Sequence, residues 1–199
     1  MTDKLTAIVL AAGRSRRMGR SKSLLPLGDR TVLQQVLTAL QAAAPARVLV
    51  VLGPEGQPVA DSLADWPVTI VWNTAPASEM ADSLRTALKA LPFADHGVLI
   101  CLGDQPLIRP ATFRRLAEEH MASPETLLQP CHQGKKGHPV LLPSAVLREL
   151  GSQPTLRDLL AVHAERLRLI EVNDPGILMD LDTAEDYRRA LEIWQSGSD

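Results

Sequence analysis

A loop of small and basic residues that follows directly on an apolar segment constrains this chain more than any other feature. Residues 10–22 have the sequence LAAGRSRRMGRSK. Alanine and glycine let a backbone approach a ligand closely, and cations can neutralise phosphate oxygens that backbone N–H groups also bind. The pattern predicts a loop that holds a polyphosphate, and the alternative is a basic surface loop without a ligand.

The segments on either side give this loop a structural frame. Residues 5–10 are apolar, as expected for a strand buried on both faces of a parallel sheet, and residues 31–44 have a helical pattern. Strand, glycine-containing loop and helix is the usual arrangement for nucleotide binding. The spacing nevertheless excludes two common motifs. Five residues separate Gly13 from Gly19, where a P-loop has four, and the closely spaced glycine triplet of dinucleotide-binding loops is absent.

The loop resembles the signature of the MobA-like nucleotidyltransferases at nearly every position. In that family it holds a nucleoside triphosphate, and the Arg and Lys contact the phosphates. The resemblance implies nucleotide binding by Leu10, Ala11, Ala12, Gly13, Arg17 and Lys22, with Arg17 and Lys22 also catalytic. The Ala-Ala-Gly opening is more similar to the cytidylyl-transferring members, because the molybdopterin guanylyltransferases usually have Ala-Gly-Gly there.

The composition narrows the class of protein. With 199 residues the chain is long enough for one α/β domain with a sizeable core. The formal net charge is −2, whereas general nucleic-acid binding would show as a strongly basic composition. Cys101 and Cys131 have no metal-ligand spacing and make no disulfide framework. The first apolar run is too short for a signal peptide, and no segment is long enough to span a membrane. We therefore expect a cytoplasmic protein with neither nucleic-acid nor membrane partners.

Apolar runs alternate with helical patterns along the chain. Strands are predicted at residues 47–53, 68–72, 97–103 and 126–129, and helices at residues 57–64, 80–91 and 110–121. This alternation predicts an α/β fold, a Rossmann-like three-layer sandwich with a mainly parallel sheet and helices on both faces. From Pro130 the alternation breaks, and residues 134–142 predict a turn and a short antiparallel excursion.

Beyond that break, the pattern predicts a helix near residues 155–163 and a strand near residues 167–172. Thr183, followed three residues later by Asp186, approximates a capping box at the start of a last helix. We expect a single nucleotidyltransferase domain over residues 1–199. Its nucleotide-binding part covers about residues 1–125, its acceptor-side part about residues 126–182, and its C-terminal helix residues 183–195.

Asp104 lies in the segment Gly103-Asp104-Gln105-Pro106, at the carboxyl end of a predicted central strand. Nucleotidyl transfer uses a divalent cation at the triphosphate, and Mg²⁺ is typically held by one or two carboxylates plus phosphates and water. Asp104 is therefore a candidate Mg²⁺ ligand, nucleotide-binding residue and catalytic residue. The segment also resembles the metal-binding aspartate motif of the cytidylyltransferase branch. The alternative is a turn or helix-capping role ahead of Pro106.

Asp182 is the expected second metal ligand, because the resemblance implies an acid or amide from a late strand end. Asp180 and Asp182 would point to the same face of an extended chain, so either could reach the metal while the other caps the final helix. A purely capping role for Asp182 is the alternative.

Three further residues complete the predicted site. Ser83 matches the family segment that contacts the base and ribose, although the usual Gly-Met-Ser run is not preserved, and a plain amphipathic helix start is the alternative. His138, in Gly137-His138-Pro139-Val140, resembles the family's acceptor-side segment, with a packing role as the alternative. Arg157 is a weaker acceptor-side candidate, because the Gly-Asp pair of many relatives is missing before its helix; pairing with Asp158 or Glu149 is the alternative.

The resemblance implies transfer of CMP from CTP to the phosphate of molybdopterin, with Mg²⁺ as cofactor and pyrophosphate released. The recipient molybdoenzyme or its chaperone is a further possible partner. One alternative is a same-fold nucleotidyltransferase that uses GTP or another phosphorylated acceptor, such as a sugar phosphate or an isoprenoid precursor. An alternative of another class is a non-catalytic molybdenum cofactor carrier or chaperone.

Overall fold

A computed structural model describes residues 5–13, 21–75, 80–91 and 97–196 of the chain. In these residues the strands are β1 (Leu5–Leu10), β2 (Pro26–Leu27), β3 (Arg30–Thr31), β4 (Arg47–Leu52), β5 (Thr69–Trp72), β6 (Gly97–Leu102), β7 (Leu127–His132), β8 (Lys135–Lys136), β9 (Val140–Pro143) and β10 (Leu167–Glu171). The α-helices are α1 (Val32–Leu40), α2 (Gln57–Ser62), α3 (Met80–Ala90), α4 (Pro110–Ala122), α5 (Ser144–Arg148), α6 (Leu156–Val162) and α7 (Ala184–Ser196).

The main sheet has the strand order β10-β7-β9-β6-β1-β4-β5, and β8 pairs with β7. Strand β1 runs parallel to β4 and β6, β5 runs parallel to β4, and β10 runs parallel to β7. Strand β9 is antiparallel to both of its neighbours, β6 and β7. The predicted mainly parallel sheet with a short antiparallel excursion is therefore confirmed.

Helices cover both faces of this sheet. On one face, Ala7 and Val9 of β1 pack in a core with residues of α1, α2 and α4. On the other face, Ile8 of β1 packs in a core with residues of α3, α5 and α6. Because β1 has apolar side chains in both directions, burial on both faces is its stable position. The result is the predicted three-layer sandwich.

Helix α7 packs in a third apolar cluster with the hairpin of β2 and β3, through the buried residues Leu27, Leu181 and Ala190. The helix begins with a reciprocal cap: the Thr183 backbone N–H donates to Asp186 Oδ2 at 2.8 Å, and the Asp186 backbone N–H donates to Thr183 Oγ1 at 3.1 Å. The predicted capping box is therefore present, and it fixes the chain just after Asp182.

Three local expectations from the sequence differ from the structure. Helix α1 ends at Leu40 and continues only as a 3-10 turn, after which Ala44 has a left-handed φ of 46°. Strand β7 continues through Pro130, because β10 pairs with β7 along one edge and the Pro130 carbonyl accepts from the Gly137 N–H at 2.9 Å on the other. Helix α5 and the hairpin of β2 and β3 were not predicted. In the part of the chain that the structure describes, no helix is both long and apolar enough to cross a membrane.

Candidate active site

A cleft of about 270 Å³ opens at the carboxyl ends of β1 and β6. These strands are parallel neighbours, and Leu10 is paired with Leu102, so their last residues must lie side by side. The residues that line the cleft are Leu10, Ala11, Ala12, Gly13, Lys22, Ser23, Met80, Ser83, Leu102, Gly103, Asp104 and Asp180. Ligands of parallel α/β sheets bind at this edge, so the cleft lies where the topology favours a site.

Close backbone packing explains the small residues at the base of the cleft. The Gly103 N–H donates to the Leu10 carbonyl at 2.9 Å, and a Cβ on Gly103 would lie only 3.0 Å from that oxygen and from the Ala11 Cβ. A Cβ on Gly53 would lie 3.0 Å from the Ala12 carbonyl oxygen. Larger side chains at these positions would push the strand ends apart, so the small residues that predict phosphate binding also hold the cleft together.

The structure brings together most of the residues that the sequence assigns to a nucleotide. All of those inside the described residues line the cleft: Leu10, Ala11, Ala12, Gly13, Lys22, Ser83 and Asp104. Arg17, together with Arg14, Arg16 and Arg20, lies outside the described residues. Lys22 begins a 3-10 turn, Lys22–Leu24, that leads into the hairpin of β2 and β3.

Lys22 joins the two ends of the chain at the cleft. Its Nζ pairs with Asp104 Oδ2 and also lies 3.1 Å from Asp182 Oδ1. The side chains of Lys22 and Asp104 are each 18% exposed, whereas that of Asp182 is 59% exposed, so the contact with Asp104 is the less screened by solvent. Burial alone would lower the pKa of Lys22, but the charges and hydrogen bonds of Asp104 and Asp182 outweigh it and raise the pKa above its ordinary value.

Asp180 lines the cleft and Asp182 contacts Lys22 because the residue between these two aspartates is anchored. The buried Leu181 donates its N–H to the Asp104 carbonyl at 3.1 Å, and the two aspartates flank it in the sequence. Gln105 Nε2 donates to Asp180 Oδ1 at 2.6 Å and to the Ile177 carbonyl at 3.3 Å. The side chains of Thr183 and Asp186 cap α7, and the carboxylate of Asp182 contacts Lys22 instead.

The electrostatic surroundings of Asp180 and His138 differ from bulk water. Burial of its carboxyl raises the pKa of Asp180, the hydrogen bond from Gln105 lowers it, and the charges of Asp104 and Asp182 raise it further, so that the net shift is upward. Burial lowers the pKa of His138, although Asp180 and Asp104 act in the opposite direction. These two carboxylates thus act on His138, whose backbone N–H donates to the Ile177 carbonyl at 3.3 Å.

The structure places the two acceptor-side candidates differently. His138 is not among the residues that line the cleft, but the charges of Asp180 and Asp104 act on its pKa. Arg157 is exposed on α6 and does not line the cleft. Among the described residues it forms no ion pair with Asp158, whose carboxylate accepts a hydrogen bond from Thr155, or with Glu149, which pairs with His163.

Two positioning residues were missed by the sequence analysis. Asn73, buried just after β5, donates from Nδ2 to Ser83 Oγ at 3.0 Å and so fixes a residue that lines the cleft. Gln105 holds Asp180, as described above, and the Oε1 of this buried side chain has no hydrogen-bond partner among the described residues. A polar residue directly after a predicted strand was the available signal for Asn73, and the Gly-Asp-Gln-Pro segment was the signal for Gln105.

The donor set of this cleft fits a divalent cation that is shared with a bound ligand. Asp104 and Asp182 both contact one ammonium, so their oxygens lie near enough to face a single cation. Within the described ranges, no cluster of three or more His, Cys, Asp or Glu side chains is arranged to hold a metal. Mg²⁺ commonly uses one or two carboxylates and takes its other ligands from phosphates and water. Asp104 and Asp182 are the residues that would hold it.

Comparison with known proteins agrees with this geometry. The profile described as the MobA-like NTP transferase domain matches residues 7–169. The molybdenum cofactor cytidylyltransferase of Escherichia coli K12 is 27% identical over 195 residues, which are 94% of this chain and 96% of that protein. The bifunctional protein GlmU of Rhodospirillum rubrum is 38% identical over 122 residues, which are 60% of this chain but only 27% of that protein.

A crystal structure of Rv0371c from Mycobacterium tuberculosis H37Rv superimposes with a TM-score of 0.81 and 31% identity, covering 96% of this chain and 99% of that one. Another crystal structure of Rv0371c is a complex with manganese, with a TM-score of 0.76 and 30% identity, covering 95% of this chain and 98% of that one. The chain belongs to the family of MobA-like NTP transferases.

Proposed function

We propose that this chain transfers the cytidylyl group of CTP to the phosphate of a molybdopterin-type acceptor, with Mg²⁺ as cofactor and release of pyrophosphate. The observation that carries the proposal is the meeting of Lys22, Asp104 and Asp182 at the cleft that Ala12 and Gly13 line. One flexible cation and two carboxylates, next to a backbone with little side-chain bulk, match the needs of a metal-bound triphosphate.

The reaction forms a bond between an oxygen of the acceptor phosphate and the α-phosphorus of CTP. It breaks the bond from that phosphorus to the oxygen that bridges to the β-phosphate, and pyrophosphate leaves. The attacking phosphate is already ionised, so general acid-base catalysis is not obligatory. Because the attack is direct and in line, no covalent enzyme intermediate is required. Catalysis is then positioning and charge stabilisation: Lys22 and Arg17 hold phosphate oxygens, and Asp104 and Asp182 hold the divalent cation. Bound there, Mg²⁺ would neutralise charge on the transferring phosphate.

The choice of CTP rests on the Ala11-Ala12-Gly13 opening and on the likeness to the Escherichia coli cytidylyltransferase, which extends over 94% of this chain. Ser83 is the residue we assign to the base and ribose, and Asn73 positions it. The manganese complex of Rv0371c supports use of a divalent cation. We place the acceptor beside His138 and Asp180, and we assign Arg157 only a peripheral contact with it.

The domain division follows from this assignment. Residues 1–125 supply all the cleft-lining residues except Asp180, which supports a nucleotide-binding part. Residues 126–182 supply Asp180, Asp182 and His138 and form the acceptor-side part, with the C-terminal helix from residue 183. We expect the enzyme to act in the cytoplasm and to deliver its product to a molybdoenzyme or that enzyme's chaperone.

A pyrophosphate-release assay tests reaction, base and acceptor together. The purified chain is supplied with Mg²⁺, a molybdopterin-type acceptor and, in separate reactions, CTP, GTP, ATP or UTP. With CTP we expect pyrophosphate release that stops when the acceptor is omitted. With the other nucleotides we expect far less pyrophosphate. Faster release with GTP would contradict the assignment of the base.

The same assay separates the competing functions. Release with CTP and a sugar phosphate or methylerythritol phosphate, but none with the molybdopterin-type acceptor, would identify a nucleotidyltransferase with a different acceptor. Tight binding of molybdopterin without pyrophosphate release at saturating CTP and Mg²⁺ would identify a carrier. Lys22, Asp104 and Asp182 argue against a carrier, because a carrier has no need of a metal and triphosphate site.

A further inference from the structure

Lys22 contacts both carboxylates that the proposed function assigns to a divalent cation. Its Nζ pairs with Asp104 Oδ2 and lies 3.1 Å from Asp182 Oδ1. These are oxygens that a metal ion would use, and a second cation that approaches them meets the positive charge of the ammonium. The side chain of Lys22 therefore competes directly with a metal ion for Asp104 and Asp182.

The ammonium is a persistent occupant of this position. A lysine is a cation at neutral pH, and this ammonium contacts two carboxylates at once. The contact with Asp104 is well shielded, since each of the two side chains is only 18% exposed. A surface ion pair that is open to solvent would be weak, but this one is screened less.

Lys22 is nevertheless able to leave the carboxylates. It stands just after the basic loop and at the first position of a 3-10 turn. Its four-carbon stem is flexible, so the ammonium can move while the backbone stays in place. A triphosphate bound along Ala11, Ala12 and Gly13 would present several anionic oxygens to the same cleft that Lys22 lines. Those oxygens would compete with Asp104 and Asp182 for the ammonium.

We propose that Lys22 is an exchangeable counterion: without nucleotide it occupies the position between Asp104 and Asp182, and on nucleotide binding it moves to phosphate oxygens and leaves both carboxylates to the divalent cation. This inference rests on the proposed function, from which it takes the metal-ligand role of the two aspartates. It adds that nucleotide binding and metal binding depend on each other. The metal binds poorly until the nucleotide removes Lys22, and the coupling free energy is the same in either order of binding.

Titration of the nucleotide-free protein with Mn²⁺, followed by electron paramagnetic resonance, tests this inference without any assay of activity. The variant Lys22→Met keeps the aliphatic length of the side chain and removes its charge. We expect it to bind Mn²⁺ about 10- to 100-fold more tightly than the wild type, which is the usual range of coupling between two ligands that compete or cooperate. An affinity that is unchanged or weaker than that of the wild type would overturn the proposal.

Three further variants identify the cause of a tighter affinity. Lys89→Ala changes the net charge by the same amount in the last turn of α3, at the other end of that helix from the cleft-lining Met80 and Ser83. We expect less than about a twofold change there, since an exposed charge away from the cleft is screened. Lys22→Arg keeps a cation at the position and should bind Mn²⁺ as weakly as the wild type. Lys22→Met combined with Asp104→Asn should lose the gained affinity. An equal gain in Lys89→Ala, or a gain that survives Asp104→Asn, would overturn the proposal.

The fold of each variant is checked by circular dichroism. Lys22→Gln supplies a second neutral side chain if Lys22→Met does not fold.

The pyrophosphate assay is independent of the Mn²⁺ titration. If the chain fails to transfer CMP but shows the expected Mn²⁺ affinities, the counterion role of Lys22 stands and the proposed reaction is wrong. If it transfers CMP but does not show those affinities, the proposed reaction stands and the counterion role is wrong.

Discussion

The proposed nucleotide side and the proposed acceptor side of the molecule share one sheet but are built by different connections. On the proposed nucleotide side, β1, β4, β5 and β6 are parallel, and their carboxyl ends meet at one edge. On the proposed acceptor side, β9 is antiparallel between β6 and β7, and a turn segment brings Asp180 to the cleft and Asp182 to Lys22. Residues at the ends of parallel strands have little choice of position, whereas residues on turns depend on what anchors each turn.

The two regions are also held in place by different kinds of contact. The Ala11 and Gly103 region is fixed by backbone bonds between neighbouring strands, such as Ala11 N–H to the Val51 carbonyl at 2.9 Å. The segment that holds Asp180 and Asp182 is fixed by contacts between residues outside the strands, such as Leu181 N–H to the Asp104 carbonyl at 3.1 Å. We expect chemistry to be most sensitive to changes at the first region and stability to be most sensitive to the docking of the second.

The largest expected effect is on turnover, at Asp104, which contacts Lys22 through its side chain and Leu181 through its carbonyl. Asp104→Asn should lower the rate of pyrophosphate release by about 10²- to 10³-fold, the usual loss when one preorganised electrostatic contact is removed from an active site. Asp65→Asn is the matched control, because Asp65 is exposed and away from the cleft. If folded Asp104→Asn protein turned over at a near-normal rate, the site would not lie at this edge.

A glycine pair tests whether docking of the acceptor-side turn matters for stability. A Cβ on Gly176 would overlap the Leu107 carbonyl, which is backbone and cannot move aside, whereas a Cβ on Gly151 would meet nothing within 4 Å. Gly176→Ala should therefore lower the free energy of unfolding by about 1–3 kcal/mol, as for other overpacked sites, and Gly151→Ala should change it little. Urea titrations of both variants measure this, and equal midpoints would show that the turn is not held closely.

The smallest expected effect concerns the cap that fixes the chain after Asp182. Thr183→Ala removes a hydroxyl that accepts from the Asp186 N–H, and it should cost about 1 kcal/mol of stability near neutral pH. The hydrogen bonds from Thr183 lower the pKa of Asp186, so the charged carboxylate stabilises the fold above its ordinary pKa. That contribution is lost as the pH falls through the lowered value, below about pH 4.

Thermal melts from pH 7 to pH 3 check the last prediction. The difference in Tm between Thr183→Ala and the wild type should shrink as Asp186 becomes protonated in both proteins. A difference that grows toward low pH would contradict the sign of the shift, and activity that stays normal at pH 7 would show that the cap supports α7 without setting the geometry of the cleft.

Sequence patterns predicted the parallel strands of the sheet well for a physical reason. Periodicity identifies buried parallel strands, and the loops that follow such strands are confined to one edge, so a strand-end Gly13 or Asp104 has a predictable neighbourhood. The same patterns missed α5 and the hairpin of β2 and β3, which are short and are held by packing on other elements. They also left Asp180 and Asp182 as alternatives, since alternation places both on one face without showing what each contacts.

The sequence alone determined the α/β class, the order of the main elements and the family to which the chain belongs, because local periodicity and a contiguous loop motif carry that information. Tertiary structure alone decided that Lys22 lies between Asp104 and Asp182, that Gln105 holds Asp180, and that Arg157 remains at the surface. These contacts join residues up to 160 positions apart, and only the folded backbone fixes such distances.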